Sequence, residues 1–500
     1  MKRLLSSLQL IPILAFASLL AGCKVGPDFK TPEGPATQTY LPQPSIKQTV
    51  ATPAAGAAGK SQVFNYGEDI PAEWWRLFHS KVINSLVEQG LANSPNLAAA
   101  KATLRQAQET LRAQMGTSYY PAISANLAVQ RQEFSNATFG DSGSTLFDLY
   151  NTSVSVAYPV DVFGLQRRQV ESTAAQMDYQ RFELQAAYIS LTANIVTSAI
   201  SIASLNAQLQ ATQALVKEEE QQLNIIKKQL NLGGVSGTNV LTQEAQVAQT
   251  RALLPPIEQS LAQAQHSLAV LVGQFPGNMQ IPILDLNSLR LPTRIPVSIP
   301  SSLVQQRPDI RAAEAQLHTA SAQVGVATAN LYPQITLNAA LGWSALSTAD
   351  YFSNQNRNWN IGPQLVQPLF QGGSLRATRS ASIAAYEASF AQYKQTVLQA
   401  FQNVADTLTA LENDAKALQA QSAAETAARN TMRITEKQLA LGGVSYLNLL
   451  TAQQQYQQAR INRIKAEATR YADTAALFQA LGGGWWNRGK IILPSPDLSR

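Results

Sequence analysis

Two stretches of this chain, Gln166–Leu232 and Leu375–Leu441, run for 67 residues each without a proline or a glycine. As unbroken helices they would each be about 100 Å long at 1.5 Å per residue, far longer than any helix folded inside a compact domain. The first carries an apolar seam at Leu184, Leu191, Ile195, Ile202, Leu205, Leu209, Val216, Leu223, Ile226 and Leu230, every step being 3, 4 or 7 residues, which is a coiled-coil pattern. Its remaining faces are Ala, Gln, Asn, Ser and Thr, residues that pack closely and still tolerate water. The chain must therefore build a long, slender helical wall.

The two stretches are copies within a larger repeat. Leu232-Gly-Gly-Val-Ser236 recurs 209 positions later as Leu441-Gly-Gly-Val-Ser445, and over twenty positions from each leucine eleven residues are identical. Tyr120-Pro121 recurs as Tyr332-Pro333, Pro95 as Pro308 and Pro159 as Pro368, at offsets of 209 to 213. This is one duplicated half, too long in period for a solenoid. Each half opens with a helix (Ser94–Tyr119; Pro308–Leu331), with its proline in the first turn where no N–H is needed. After each long helix, Gly233-Gly234 or Gly442-Gly443 ends it, glycine taking the left-handed conformation without steric cost. Return helices follow over 239–272 and 447–481. Pro255-Pro256 predicts a break in the first. The two shorter helices of a half together approach the length of the long one, so they predict a wall of uniform height whose short helices meet near its middle.

Between lead-in helix and long helix, each half carries two runs of period two, over about 121–131, 151–160, 333–343 and 358–368. Ile123, Leu127 and Val129 alternate with Ser124, Asn126 and Gln130; Ile335, Leu337 and Leu341 alternate with Gln334, Thr336 and Asn338. One apolar face opposite a polar, nearly uncharged one suits strands with lipid outside and water inside. The loops Glu133–Tyr150 and Ser344–Arg357 are rich in Ser, Asn, Asp and Gly, as loop tips are. Tyr119, Tyr120, Tyr158, Tyr332, Trp343 and Trp359 fit an interfacial aromatic girdle. Four strands cannot close a transmembrane barrel, and an open edge in lipid leaves backbone groups unpaired. Other subunits must complete it. Two chains would give eight strands and a filled interior, three would give twelve and a lumen; physics alone permits either.

The N-terminus has the form of an export signal. Lys2 and Arg3 precede the apolar but interrupted run Leu4–Leu20, too short and broken for a good membrane span. It ends in Leu20-Ala-Gly-Cys23, with the chain's only cysteine. A single cysteine makes no internal disulfide; in this setting it matches a lipobox, implying cleavage after residue 22 and lipidation of Cys23. Acyl chains contribute about 0.8 kcal/mol per buried CH₂. Lys24 is compatible with sorting to the outer membrane. Residues 23–73 read as a lipidated tether, since Thr31–Lys60 is rich in Pro, Ala, Gly and Thr, with ordered structure expected from Trp74-Trp75; residues 486–500 read as a tail.

Several function classes drop out. Charged residues are 14% of the chain, against roughly 25% in ordinary soluble proteins. The net charge of +6, about +4 without Lys2 and Arg3, is too mild for nucleic acid, and no basic run is interleaved with aromatics. His79, His266 and His318 lack metal-ligand spacing. Gly233–Gly237 follows a helix and lacks Lys-Ser/Thr, so it is a turn and not a phosphate loop. Lys217–Glu220 and Lys227-Lys228 read as a solvated helix face, and Arg307, Asp309 and Arg311 as helix-start capping and intersubunit pairing. No catalytic constellation and no cofactor beyond the Cys23 lipid is expected.

An ordered set of motifs resembles one family. Cys23-Lys-Val-Gly-Pro-Asp-Phe29, Trp74-Trp75 with Phe78, Leu91-Ala-Asn-Ser-Pro-Asn-Leu97, Arg307-Pro-Asp-Ile-Arg311, Phe370-Gln-Gly-Gly373 and the two Leu-Gly-Gly-Val-Ser turns are similar to the TolC-like outer-membrane factors, in the lipoprotein branch that serves RND-type pumps. The resemblance implies an α+β membrane protein, internally duplicated. A homotrimer would contribute four strands per chain to a twelve-stranded outer-membrane barrel continuous with a periplasmic α-helical barrel. It implies a first repeat over 74–292 and a second over 293–485. The turns Gly233, Gly234, Val235, Ser236 and Gly442, Gly443, Val444, Ser445 would lie at the periplasmic tip and meet an adaptor protein, itself joined to an inner-membrane RND pump. The family's gate stretch corresponds to Tyr446–Gln454. Many relatives have Asp and Arg where Thr451 and Gln454 stand, so closure here is expected from an apolar constriction at Leu447 and hydrogen bonding by Thr451 and Gln454. Function follows as passive export of drugs or other small toxic compounds. The alternatives are type I protein secretion, metal-ion efflux, for which no methionine cluster speaks, and a non-conducting envelope spacer, which would need no strands.

Overall fold

The computed structural model describes residues 24–42, 46–140 and 142–488; the 1–22 leader, Cys23 and residues 489–500 of the tail lie outside them. In chain order the main elements are β1 (Val63–Tyr66), α1 (Lys81–Asn93), α2 (Pro95–Tyr119), β2 (Ala122–Ser135), β3 (Ser144–Val160), α3 (Leu165–Asn231), α4 (Gly237–Arg251), α5 (Leu254–Leu271), β4 (Arg294–Val297), α6 (Pro300–Gln306), α7 (Pro308–Ala329), β5 (Gln334–Ala345), β6 (Arg357–Val366), α8 (Ser374–Ala440) and α9 (Tyr446–Ala480).

The long helices α3 and α8 are each 67 residues, one residue earlier than read from sequence. Seam residues Leu184, Leu191, Ile195, Ile202, Val216 and Ile226 are buried. Along α3 lie α2, α4 and α5 on one side and α7 and α9 on the other. The short helices do meet part-way up the wall: Gly273, just past α5, lies against the Asn93 backbone at the end of α1, and Gln274 Nε2 donates to Gln89 Oε1 at 3.4 Å. In the second half Arg307, at the start of α7, donates through Nη1 to the Ala480 carbonyl at the end of α9, 2.7 Å away. Its Nη2 meets Asp309 at 2.6 Å, so this charged group caps two helices within the chain. The return segment 239–272 is two helices, with Pro255 and Pro256 in the first turn of α5 where their missing N–H groups are not needed.

Three sequence readings are corrected. Of the expected tether over 23–73, the described residues 24–42 and 46–73 are not free. Val25–Thr31 is packed on the helices, and residues 46–70 form a belt across the waist of the wall. There β1 pairs in parallel with β4 and Ala55, Ala58, Phe64 and Ile70 enter the same core as Trp74, Trp75 and Phe78. Small residues let the belt sit close, and buried Arg470 satisfies its backbone by donating to Ala58 O (2.7 Å) and Lys60 O (2.8 Å) and to Thr49 Oγ1 (2.8 Å). Second, α1 precedes Ser94 as a separate helix whose N-cap Ser80 accepts from Ile83 N. Third, the loop expected over Glu133–Tyr150 shrinks to residues 136–143, because the first two strands pair without a break from Ala122↔Ala157 to Ser135↔Ser144.

Candidate functional site

The antiparallel sheet has the order β2-β3-β5-β6. Its register aligns side chains into rows of one character. Ile123, Val156, Ala339 and Ile361 form one row, and Ala125, Val154, Leu341 and Trp359 the next. On the other face Ser124, Ser155, Ala340 and Asn360 share a row, as do Asn126, Ser153, Gly342 and Asn358. The polar face is hydrogen-bonded within itself: Ser124 Oγ lies 2.8 Å from Ser155 Oγ, and Asn338 Nδ2 donates to Gln364 Oε1 at 3.2 Å. Among the described residues nothing covers the apolar face; Ile123 and Leu127 are each 71% exposed. Tyr119, Tyr120, Tyr332 and Trp359 are also exposed. An apolar face of this extent belongs against lipid.

Sheet and wall end on matching sides. Among described residues β2 and β6 each pair on one side only, leaving two edges of unpaired backbone. The strand β2 follows α2, and β6 precedes α8. In the wall α3 is sandwiched and buries 24 side chains, whereas α8, of equal length, buries 10 because it packs only on α7 and α9 among the long elements. Helix α2 buries only Leu97, Leu104 and Ser118. Both layers are thus open at the α2/β2 side and at the β6/α8 side.

At the far end of the wall the two glycine turns have the same geometry. Gly233 and Gly442 have φ of +76° and +74°. Gly233 N donates to Leu230 O and Gly234 N to Gln229 O, at 2.9 and 2.8 Å; Gly442 and Gly443 do the same to Leu439 and Gln438, at 3.0 and 2.8 Å. This pair of bonds is the Schellman closure. Each turn holds a leucine outward, Leu232 and Leu441 being 86% and 87% exposed, with Val235 and Val444 half-buried behind and Ser236 and Ser445 starting the return helices.

Above the turns the three gate candidates part company. Leu447 is 64% exposed. Thr451 spends its hydroxyl on its own helix, donating to Leu447 O at 3.0 Å. Gln454 alone reaches across, donating to Gln246 Oε1 of α4 at 2.7 Å. Gln246 Nε2 in turn donates to Glu219 Oε1 of α3 at 3.0 Å, Gln243 Nε2 donates to Glu219 O at 2.9 Å, and Tyr446 Oη donates to Gln243 Oε1. One network therefore ties the start of α9 to the α3–α4 hairpin. At its centre Glu219 is 0% exposed, which corrects the solvated-face reading at this one residue, Lys217 and Glu218 beside it being exposed. Burial pushes its carboxyl up from the usual range; hydrogen bonds to Gln246 and Thr250 partly offset this, and Glu218 adds to it. Burial likewise pushes the Tyr446 hydroxyl up, with Glu219 contributing. Glu219, Gln243 and Gln246 were absent from the sequence candidates. Cys23 lies outside the described residues.

A membrane-compatible sheet, a long helical wall and a turn-studded tip are a channel's parts. The model of the outer membrane efflux protein family matches residues 86–274 and again 299–483. The chain belongs to the outer membrane efflux protein family. It is 29% identical over 434 residues to the pyoverdine export outer membrane protein OpmQ of Pseudomonas aeruginosa, covering 86% of this chain and 90% of that one. It is 28% identical over 485 residues to the toluene efflux pump outer membrane protein TtgC of Pseudomonas putida, covering 96% of each. Among solved structures it is similar to the outer-membrane channel OprN, with a TM-score of 0.82 and 27% identity over 93% of this chain and 100% of that one. As a member of this family the protein is the outer-membrane exit component of an efflux system. The family consists of channels and not of enzymes.

Proposed function

We propose that three copies close head to tail into one duct. The observation that carries this reading is that sheet and wall are open on the same two sides, so that β6/α8 of one chain can meet β2/α2–α4–α5 of the next in both layers at once, as a heterologous ring requires. Three chains give twelve strands, with the apolar rows outward and the Ser/Asn/Gln rows lining water. The helical wall then continues the lumen through the periplasm. Lipid on Cys23 tethers each chain to the outer membrane. The exposed Leu232 and Leu441 turns dock a periplasmic adaptor joined to an inner-membrane RND pump, and the Gln454–Gln246–Glu219 network with Leu447 holds the tip narrow at rest. Conduction is passive and uses no metal or other cofactor.

The cargo is drugs or other small toxic organic compounds delivered by the pump, in keeping with the uncharged Ser/Asn/Gln rows of the sheet. Deleting the gene in its native host and measuring susceptibility and dye accumulation across antibiotics, detergents, dyes, copper and silver tests this, with a plasmid-borne copy as rescue. Organic compounds should accumulate and rescue should restore export. Sensitivity to metals alone would assign the duct to metal efflux. An unchanged profile with a missing secreted protein would assign it to type I secretion.

A further inference from the structure

The segment Lys24–Thr31 is held far more tightly than an anchor's leash requires. Val25 N donates to Phe163 O at 3.2 Å, at the junction between β3 and α3. Arg168, on the first turn of α3 and fully buried, donates Nε to Val25 O (3.2 Å), Nη2 to Gly26 O (3.1 Å) and Asp28 Oδ1 (3.0 Å), and Nη1 to Glu171 Oε2 (2.8 Å). Lys24 Nζ lies 2.8 Å from Glu171. Phe29 stacks on His318 at 4.3 Å, and His318 Nε2 lies 3.0 Å from the other Glu171 oxygen. Thr31 Oγ1 donates to Glu314 Oε1 at 2.9 Å. Two glycines make room: a Cβ on Gly325 of α7 would lie 2.6 Å from Arg168 Cδ, and one on Gly26 would lie 2.6 Å from Gly325 Cα. Burial by itself would raise the Glu171 carboxyl, but the hydrogen bonds from Lys24, His318 and Arg168 outweigh it and hold it at about 2.

The internal repeat supplies a control. At the offset of 209 the counterparts of Arg168 and Glu171 are Ala377 and Ser380; at 213, those of Glu314, His318 and Gly325 are Lys101, Arg105 and Arg112. None of these could make the same bonds. Among the described residues there is one such segment, and its receptor spans both halves: Arg168 and Glu171 from the first, Glu314, His318 and Gly325 from the second.

We infer that Lys24–Thr31 is a docking clip that fixes the membrane anchor to the sheet–helix junction, with Arg168 as its positioning residue and Gly325 as the gap that admits it. This rests on the reading of Cys23 as the lipidated residue. Lys24 itself lies against Gly164 at that junction, so a lipid carried just before it would be tied to the start of α3. The acyl chains then set the height of the wall in the membrane, where a slack tether would leave it free.

The test is trypsin digestion of the full-length protein in outer membranes, with cuts after Lys24 and Lys30 scored by mass and Cys23 acylation followed by palmitate labelling. Arg168→Met and Phe29→Ala should each raise cleavage at least about tenfold, the loss expected for one or more strong contacts, with labelling unchanged. Cys23→Ala, exported with a non-lipoprotein signal peptide, should keep the wild-type protection. Phe29→Ala alters only the clip, so it carries the test if Arg168→Met fails to assemble. Wild-type protection in both clip variants would overturn the proposal. So would a Cys23→Ala segment as labile as that of Phe29→Ala, since the lipid would then be holding the clip. Missing acyl label on the wild-type chain would remove the anchor role, and the cleavage rates would still report whether the clip docks.

Discussion

Gln246→Leu isolates the tip network, because Leu fills similar space and makes none of the bonds. It removes the 2.7 Å bond from Gln454 and the 3.0 Å bond to the buried Glu219 carboxyl. A neutral hydrogen bond contributes about 1 kcal/mol and one to a charged group about 1.5–3. The bond to Glu219 lies within the α3–α4 hairpin, so the coupling lost between α9 and that hairpin is the neutral bond from Gln454, about 1 kcal/mol per chain. At about 1.4 kcal/mol per factor of ten, α9 and the hairpin should separate roughly fivefold more often. The same change removes the leading group that lowers the Glu219 pKa, so Glu219 titrates higher still. The assay is single-channel conductance of the purified assembly in planar bilayers, paired with entry of a bulky antibiotic that the resting duct excludes. Gln246→Leu should raise open probability by about fivefold, and Gln454→Leu added to it should change little further, since both remove the same bond. An assembled Gln246→Leu duct as closed as wild type would refute the role of the network; if Leu447→Ala alone then opened it, the constriction would be wholly apolar.

Three further outcomes follow from the same geometry. Arg470→Met leaves the Ala58 and Lys60 carbonyls without their donor, at about 1–3 kcal/mol each for buried groups, while Thr49 Oγ1 keeps the bond from Gln62 N; the belt should become trypsin-sensitive at Lys47 and Lys60 at temperatures where the rest of the wall resists. Asp414 on α8 is raised to about 7 by burial and by its hydrogen bond with Asp473 on α9, with nearby Arg470 pulling the other way. A raised carboxyl contributes stability that is complete below its ordinary range and lost as pH rises through about 7, so the melting midpoint in detergent should fall from pH 5.5 to 8.5, and Asp414→Asn should flatten that slope. Leu232→Asp with Leu441→Asp should abolish efflux in cells while leaving bilayer conductance intact, because only the exposed tip surface changes; unimpaired efflux would place the adaptor elsewhere.

How far the sequence carries depends on whether a segment's period reflects its own packing. The long helices were legible because nothing in Gln166–Leu232 could stop a helix, and the glycine turns because a left-handed residue must follow each one. The belt was not legible. Residues 46–70 have no period, and the side chain that satisfies them, Arg470, comes some 410 positions later. Glu219 was misread for the opposite reason. It stands three residues after Val216 and four before Leu223, on the apolar seam itself, and the run of charges around it concealed a place that spacing already assigned to the interior.

The repeat also shows where function departs from architecture. At the offset of 209 Glu219 answers to Ala428, Gln243 to Ala452, Gln454 to Ala245 and Tyr446 to Gly237. The turns Gly233-Gly234 and Gly442-Gly443 match, as do the lengths of α3 and α8, because both halves must build the same wall. The network as a whole does not match, only Gln246 keeping its counterpart as Gln455, because a cross-link between two hairpins needs a donor on one and an acceptor on the other. The clip follows the same logic, with Arg168 against Ala377 for a single N-terminus. A copied helix keeps its apolar positions to stay in the wall, so polar residues that differ between copies and are buried in only one of them mark the contacts that make two like halves act differently.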